Sequence, residues 1–248
     1  MAAAIKLHRH AGRRRAGRFL AEGPNLVEAA LRRDLVIEVF ATDAALERFG
    51  SMLGSAAVHV VTERAAKALS DTVTPVGLVA VCEVPSTTLA DVLAGSPALI
   101  AVAAEISEPG NAGTLIRIAD AMGADAVVLA GHSVDPYNGK CLRASAGSIF
   151  NLPVVTENDA AGAVSALSDA GLRVMATTLD GETSLDDVEL AGPTAWLFGP
   201  ESHGLPAELA EMATDRVRIP MAGGAESLNV AAAAAICLYQ SAKAHRAR

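Results

Sequence analysis

The stretch Ile219-Pro-Met-Ala-Gly-Gly-Ala-Glu-Ser-Leu-Asn-Val230 joins a short apolar segment to a long alanine-rich run. Pro220 ends the predicted strand, a loop of small residues follows, and Ser227 or Asn229 begins a helix predicted over residues 230–245. Ser and Asn oxygens accept hydrogen bonds from the free N–H groups of a first helical turn. A tight loop before a capped helix also forms a pocket lined by N–H donors. Taken alone, the stretch is most simply an ordinary strand-to-helix turn.

Around this stretch, short apolar strands alternate regularly with helices, which predicts an α/β fold with a parallel sheet covered on both faces. Two other polar loops, residues 105–117 and 198–206, also follow predicted strands directly. Ligands of such sheets bind beyond the carboxyl ends of the strands, so the three loops are expected to form one composite site. The predicted strands are residues 99–104, 126–129, 154–155, 172–177, 195–198 and 217–219, and the helices between them are residues 112–123, 140–148, 159–170 and 206–212.

The first part of the chain has a different pattern of shorter and less regular elements. Residues 1–88 predict a small α/β domain that begins with a basic segment. Residues 89–97 predict a connection, and residues 98–248 carry the regular alternation. The sequence therefore predicts two domains of unequal size.

The distribution of charge is uneven along the chain. A net charge of −8 argues against a nucleic-acid partner when it is taken alone. Residues 1–20, however, carry six basic side chains and no acidic one, whereas the other 228 residues carry 14 basic and 28 acidic groups. No apolar stretch follows, so phosphate contact by RNA is favoured over a targeting signal or a solvated tail. The basic side chains are Lys6, Arg9, Arg13, Arg14, Arg15 and Arg18.

Several classes of protein lose support from the sequence. Cys82, Cys141 and Cys237 are far apart, which offers no metal motif and is typical of a protein of the reducing cytoplasm. No apolar run approaches the roughly 18 residues that a membrane span needs. The signatures of dinucleotide binding, of the P-loop and of α/β-hydrolases are absent. Aromatic residues make up only 3%, so a nucleotide would be held by backbone, charge and aliphatic contacts.

The loop of residues 105–117 contains a candidate cationic group. Asn111 is expected to cap the following helix. Gly113 leaves space for Arg117, four residues further on, to lie back toward the loop. A surface ion pair between Arg117 and Asp120 is an equally open alternative.

The loop of residues 198–206 contains one acidic side chain, Glu201, between two glycines. Gly199 and Gly204 permit close approach of the backbone to a ligand or a positive φ. A simple turn with a solvated Glu201 remains an alternative. His203 is a candidate acid or base, although a loop histidine is more often only exposed.

Three motifs resemble, in order and spacing, those of the SpoU (TrmH) family of RNA ribose 2′-O-methyltransferases. They are Asn111-Ala-Gly-Thr-Leu-Ile-Arg117, Leu197-Phe-Gly-Pro-Glu-Ser-His-Gly-Leu205, and Ile219-Pro-Met with Glu226-Ser-Leu-Asn-Val230. A fourth stretch, Lys140-Cys-Leu-Arg-Ala-Ser-Ala-Gly147, is similar to another part of that family. Residues 15–27 and 74–80 resemble its ribosomal-protein-like RNA-binding domain.

The resemblance implies an enzyme that uses S-adenosylmethionine to methylate a ribose 2′-hydroxyl in RNA. It also implies a trefoil-knotted catalytic domain, which is an exception to the usual absence of knots, and a homodimer without a metal. Ribosomal RNA, most simply 23S rRNA, is favoured over tRNA by analogy, because tRNA-directed relatives tend to lack such an N-terminal domain. Antibiotic resistance is compatible with the same chemistry. The alternative is a non-catalytic RNA-binding or ribosome-assembly protein with the same fold.

The resemblance also assigns roles to individual residues. Arg117 would stabilise the developing oxyanion or hold the adjacent phosphate, because a guanidinium hardly deprotonates. The catalytic set would be Arg117, Asn111, Glu201, Ser227 and Asn229. The cofactor would contact Thr177, Leu197, Gly199, Glu201, Gly204, Ile219, Met221 and Leu228. The RNA would contact Arg9, Arg13, Arg14, Arg15, Arg18, Arg143 and Ser145.

Overall fold

The computed structural model describes residues 1–200 and 203–247, which form two β-sheets with helices packed around them. The strands are β1 (Arg18–Glu22), β2 (Val36–Ala41), β3 (Val58–Val60), β4 (Leu78–Glu83), β5 (Leu99–Ala104), β6 (Ala126–Ala130), β7 (Val154–Glu157), β8 (Arg173–Thr177), β9 (Thr183–Ser184), β10 (Thr194–Phe198) and β11 (Asp215–Arg218). The helices are α1 (Ala2–Ile5), α2 (His10–Ala16), α3 (Pro24–Leu31), α4 (Asp43–Phe49), α5 (Glu63–Ala68), α6 (Leu89–Ala94), α7 (Pro109–Ala121), α8 (Gly139–Ser145), α9 (Ala160–Asp169), α10 (Ala207–Glu211) and α11 (Val230–Arg246).

The larger sheet contains β5 to β11 in the order β7-β6-β5-β10-β8-β11-β9, and all its neighbouring strands are parallel. Its central strands are buried along their whole length, as uninterrupted apolar sequences require. Leu99 and Ala101 of β5 pack on one face with α7 and α11, whereas Ile100 and Val102 pack on the other with α9 and α10. The predicted α/β fold with a parallel sheet covered on both faces is confirmed.

The smaller sheet lies in the first part of the chain and has the order β1-β4-β2-β3. β4 is antiparallel to both β1 and β2, and β3 is parallel to β2. The basic segment before β1 forms α1, a 3₁₀ helix over Lys6–His8, and α2. Ala4 and Leu7 are buried, so this segment is a folded part of the protein and not an extended arm.

The start of α7 differs from the prediction. Glu108 caps the helix by accepting a hydrogen bond from the Gly110 N–H at 3.2 Å, and Pro109 occupies the first helical position. Proline suits this position because its missing N–H has no partner there in any case. The prediction that Asn111 caps α7 is therefore wrong, and Asn111 lies inside the first turn of the helix.

One helix end and one short strand also differ from the prediction. The helix predicted over residues 140–148 ends at Ser145, because Ala146 and Gly147 adopt left-handed φ values of 49° and 96°. The short strand β9 pairs with β11 and was not predicted, since two residues carry too little periodicity to detect. Within the described residues, no helix has both the length and the apolar character that crossing a bilayer requires.

The C-terminal helix α11 is joined to the sheet by a buried polar contact. Trp196 lies on β10 and is fully buried, and its indole Nε1 donates to Ser241 Oγ on α11 at 2.9 Å. Ser241 is also fully buried. Without this hydrogen bond, the indole N–H would lose its hydrogen bond to water on burial and gain no other partner.

Substitution of Ser241 by alanine is expected to lower the free energy of unfolding by about 1–3 kcal/mol, because the Trp196 donor would be left buried and unpaired. Urea unfolding followed by tryptophan fluorescence measures the change. Ser165→Ala is the control, because Ser165 is exposed on α9 and reports only the helix propensity of alanine. Equal unfolding free energies for the two variants would contradict the prediction.

Candidate active site

A cavity of about 760 Å³ lies beyond the carboxyl ends of β8, β10 and β11. It is bounded by the loops that follow these strands and by the first turns of α10 and α11. Its wall mixes aliphatic side chains with small residues and exposed backbone. The residues that line it include Thr177, Leu179, Phe198, Gly199, Gly204, Leu205, Ile219, Met221, Ser227, Leu228 and Val230.

Most of the residues predicted to contact a cofactor lie in this wall. They are Thr177, Gly199, Gly204, Ile219, Met221 and Leu228. Leu197 is buried within β10, and its carbonyl accepts a hydrogen bond from Thr177 Oγ1 at 2.8 Å. Leu197 thus shapes the cavity through Thr177. Glu201 was predicted both to contact the cofactor and to belong to the catalytic set, and it lies outside the residues that the structure describes.

Gly199 occupies a position where the loop after β10 folds back on itself. A Cβ added at Gly199 would lie 2.6 Å from the carbonyl carbon of Gly204 and 2.7 Å from Leu205 Cα, and would also overlap Leu205 N. Gly204 has a φ of 69°, which favours glycine. Both glycines are therefore required by the turn itself, which brings backbone groups to the cavity wall.

The first and third polar loops meet through two asparagine side chains. Asn229 caps α11, where its Oδ1 accepts from the N–H groups of Ala231 at 3.0 Å and Ala232 at 3.4 Å. Its Nδ2 donates to Asn111 Oδ1 on α7 at 3.2 Å. This contact brings together two of the three loops that were expected to meet, although the residues are 118 positions apart.

Arg117 is exposed on α7, on the helical turns that follow Asn111. Within the part of the chain that the structure describes, its guanidinium makes no ion pair. The alternative partner, Asp120, instead accepts a hydrogen bond from Asn151 Nδ2 at 2.8 Å. The structure thus leaves the Arg117 cation available to a ligand.

The reason for Gly113 also differs from the prediction. A Cβ there would lie 2.7 Å from Ala144 Cβ and 3.0 Å from Ser145 N, and would overlap the Cys141 carbonyl oxygen. Gly113 is buried, and its position allows α7 and α8 to pack closely. The glycine therefore serves helix packing rather than the placement of Arg117.

Two residues predicted to contact RNA are buried, and these predictions are corrected. The Arg13 guanidinium makes an ion pair with Asp135, and Ser145 Oγ donates to the Leu142 carbonyl at 2.8 Å. Neither side chain is accessible to a polyanion on the surface. The remaining candidates are all exposed, and they are Arg9, Arg14, Arg15, Arg18 and Arg143.

A charged group in the cavity wall was missed by sequence reasoning. Arg216 on β11 makes ion pairs with Asp180 at 2.7 Å and Glu182 at 3.3 Å. The hydrogen bond between Arg216 and Asp180 raises the pKa of Arg216 and lowers the pKa of Asp180. No motif marks an arginine on a strand, so only the register of β11 beside β8 reveals its position.

The described residues contain no group of three or more His, Cys, Asp or Glu side chains placed to bind a metal ion. The capping carboxylate of Glu108 interacts instead with Lys140 on α8, at 2.5 Å. That contact, with the Gly110 N–H, lowers the pKa of Glu108. Among the described residues, the site thus includes asparagine amides, the Arg117 guanidinium, backbone groups, and a cavity whose wall is partly aliphatic and partly charged.

Comparison with known protein families identifies this parallel α/β protein as a methyltransferase. The chain belongs to the SpoU rRNA Methylase family, whose model matches residues 98–239. An MRM3-like substrate binding domain matches residues 3–80. The motifs read from the sequence identified the correct family.

Individual relatives agree with this assignment. The 23S rRNA (guanosine(2553)-2′-O)-methyltransferase RlmP of Bacillus subtilis is 37% identical over 236 residues, which cover 94% of this chain and 92% of that protein. The SpoU methyltransferase AviRb from Streptomyces viridochromogenes, solved with AdoMet, superposes with a TM-score of 0.87 at 29% identity, covering 99% of this chain and 98% of that one. An AdoMet-bound rRNA methyltransferase from Sinorhizobium meliloti gives a TM-score of 0.86 at 29% identity, covering 98% and 93%.

Proposed function

We propose that the protein transfers a methyl group from S-adenosylmethionine to a ribose 2′-hydroxyl in RNA, with 23S rRNA as the substrate. The observation that carries the proposal is the Asn229–Asn111 contact, which places the helix bearing Arg117 beside the cavity loops. The relatives named above methylate 23S rRNA or were solved with AdoMet, which supports the same reaction here.

The cavity fits S-adenosylmethionine in size and chemistry. A volume of about 760 Å³ lies within the usual range for small-molecule sites, roughly 300–1,000 Å³. Gly199 keeps the backbone at the wall close enough for its polar groups to bind an adenine edge, while Ile219, Met221 and Leu228 supply apolar contacts. When bound, the cofactor supplies an electrophilic sulfonium methyl group.

The chain's own residues must then make the ribose hydroxyl a better nucleophile. A bond forms between the 2′-oxygen and the methyl carbon as the carbon–sulfur bond breaks, and the hydroxyl proton leaves to solvent or to a nearby base. The Arg117 guanidinium stabilises the negative charge that develops on the oxygen, or holds the neighbouring phosphate through two N–H donors. Asn111 and Asn229 orient the ribose, and Ser227 is exposed at the cavity rim where a phosphate can reach it. Glu201 is proposed to order the loop of residues 198–206.

The N-terminal part supplies the RNA contacts in this proposal. Arg14 and Arg15 are exposed on α2, and Arg9 and Arg18 are exposed on either side of that helix. Clustered guanidinium groups give sequence-independent affinity for phosphates, which weakens as the salt concentration rises.

Transfer of labelled methyl from S-adenosylmethionine to protein-free ribosomal RNA tests the proposal. We expect label in a 2′-O-methylnucleotide of the large-subunit RNA. Label that appears only in tRNA would show that tRNA, and not rRNA, is the substrate of the proposed reaction. No label in rRNA, tRNA or ribosomal subunits, together with no cofactor binding, would support the non-catalytic RNA-binding alternative.

We further propose a knotted catalytic domain, a cytoplasmic location and a homodimer. The buried, unpaired cysteines suit a reducing compartment, and burial raises the pKa of Cys82 and Cys141 to about 12. The dimer is supported by an apolar stripe on α11, where Ile236 and Tyr239 are 37% and 50% exposed. Apolar side chains of this size on one helix face are typical of a surface that another copy covers.

Replacement of Ile236 by arginine is expected to convert the dimer to a monomer, because a charge would be buried without a partner at the interface. Light scattering coupled to size-exclusion chromatography measures the mass. Ile37→Arg is the matched control, because Ile37 on β2 has the same 37% exposure and lies on the other sheet. A wild-type protein that is monomeric, or an Ile236 variant that stays dimeric, would contradict the proposed interface.

A further inference from the structure

The basic segment contains one arginine that faces inward. The Arg13 side chain is only 6% exposed and its partner Asp135 is 15% exposed. Asp135 Oδ2 accepts from Arg13 Nη2 at 2.6 Å and from Nε at 2.7 Å. Arg13 lies on α2 in the N-terminal part, whereas Asp135 lies in the loop between β6 and α8 of the methyltransferase part. The ion pair therefore bridges the two parts of the chain.

Both members of the pair have further partners that fix their geometry. Arg13 Nη1 donates to the carbonyl groups of Leu7 at 2.8 Å and His8 at 3.0 Å. Asp135 Oδ1 accepts from the Tyr137 N–H at 2.9 Å. Buried ions need such additional hydrogen bonds to offset the loss of their hydrating water. The planar guanidinium also restricts the angles at which a carboxylate can accept its hydrogen bonds. The pair is therefore a directional contact between two surfaces.

Aromatic packing closes the same junction. The ring of Phe19 on β1 lies 4.7 Å from the ring of Tyr137 and 6.1 Å from that of Phe150, measured between centroids. Phe19 is fully buried, and burial raises the pKa of Tyr137. The two parts thus meet through a packed interface in addition to the chain connection at residues 84–98.

The loop that carries Asp135 leads directly to the catalytic helices. Asn138 caps α8, and α8 packs against α7 at Gly113. Arg117 follows Gly113 by one helical turn on α7. A series of direct contacts therefore connects Arg13 to the helix that carries the cation proposed for catalysis.

We infer that the Arg13–Asp135 ion pair is a positioning device, which holds the RNA-binding surface at a fixed place relative to Arg117. The inference rests on the proposed function. Arg14 and Arg15 are exposed on the same helix as Arg13, so anchoring Arg13 fixes where their guanidinium groups meet RNA phosphates. RNA held there presents one ribose to the cavity, and a change in the angle between the two parts presents the wrong one.

A double substitution separates positioning from stability. Loss of either partner alone leaves a buried unpaired charge, whereas Arg13→Met with Asp135→Leu removes both charges and should restore folding. We expect the double variant of the full chain to bind S-adenosylmethionine with a dissociation constant near that of wild type. We expect its kcat/KM for ribosomal RNA to fall by roughly 10- to 100-fold, because a misplacement of about 1 Å can cost that much.

The matched control removes an ion pair that lies within the methyltransferase part. Arg173 and Asp215 form a bidentate pair between β8 and β11, with exposures of 35% and 16%. Arg173→Met with Asp215→Leu is expected to leave kcat/KM for RNA, per cofactor-binding site, near the wild-type value. A double Arg13–Asp135 variant with wild-type kcat/KM would overturn the inference.

A distance measurement keeps the test independent of enzymatic activity. Spin labels at Ser51→Cys and Asp169→Cys report the separation of the two parts, because both positions are exposed and each lies in a different part of the chain. We expect the distance distribution to broaden or shift in the double variant and to stay narrow in the control. An unchanged distribution would overturn the inference, whereas a wild-type protein that methylates no RNA would contradict only the proposed function.

Discussion

Replacement of Arg117 by alanine is expected to lower kcat for RNA methylation by roughly 100- to 1,000-fold, the usual cost of losing one preorganised donor to a developing oxyanion. The cation contributes most in the transition state, because the 2′-oxygen carries little charge in the bound substrate. Arg117 lies outside the cofactor cavity wall, so the dissociation constant of S-adenosylmethionine is expected to stay near the wild-type value.

Single-turnover methylation of ribosomal RNA measures this effect without a contribution from product release. Arg117→Lys keeps the charge and loses the planar fork, so it distinguishes a bidentate phosphate contact from simple charge stabilisation. Arg48→Ala is the matched control, because Arg48 is exposed on α4, away from the site. If Arg117→Ala reacted at the rate of Arg48→Ala, Arg117 would have no part in the chemistry.

The sequence was most informative where one physical rule acts locally. A short uninterrupted apolar run such as residues 99–104 favours a buried strand of a covered sheet, and the structure places β5 over the same residues. Asn229 was one of two predicted caps for α11, and its short side chain accepts from the first-turn N–H groups as expected. Three polar loops after parallel strands must meet at one edge, and the Asn229–Asn111 contact joins two of them.

Apart from the local differences at element ends, the failures involve contacts between residues that are distant in the sequence. The arginine run at residues 13–15 predicts a charged surface, yet its first guanidinium, that of Arg13, forms a buried pair with Asp135, 122 positions away. Gly113 was explained by its own helix, whereas its partner is the backbone of α8. Arg216 had no visible role until the register of β11 placed it beside the cavity. Local propensity contains no information about which distant residue will be the partner, so these contacts become visible only in the three-dimensional structure.

Replacement of Gly113 by alanine is expected to lower the free energy of unfolding, although alanine has the higher helix propensity by roughly 1 kcal/mol. The added Cβ would overlap the Cys141 carbonyl oxygen, which belongs to the backbone of α8 and cannot rotate away. Overpacking at a tight helix contact costs about 1–3 kcal/mol even after local adjustment. The net result is a less stable protein in which α7 and α8 are further apart.

The same displacement should reduce methyl transfer, because Arg117 and Asn111 lie on α7 and move with it. Urea unfolding and single-turnover methylation of one preparation measure the two effects. The protein concentration is held fixed, because the stability of the proposed dimer would depend on it. Gly110→Ala in the same helix is the matched control for stability. Its Cβ would meet only the ends of flexible side chains, Glu108 Oε1 at 3.3 Å and Lys140 Cε at 3.7 Å. If both variants unfolded with the same free energy, the backbone of α8 would not be the constraint that selects glycine at position 113.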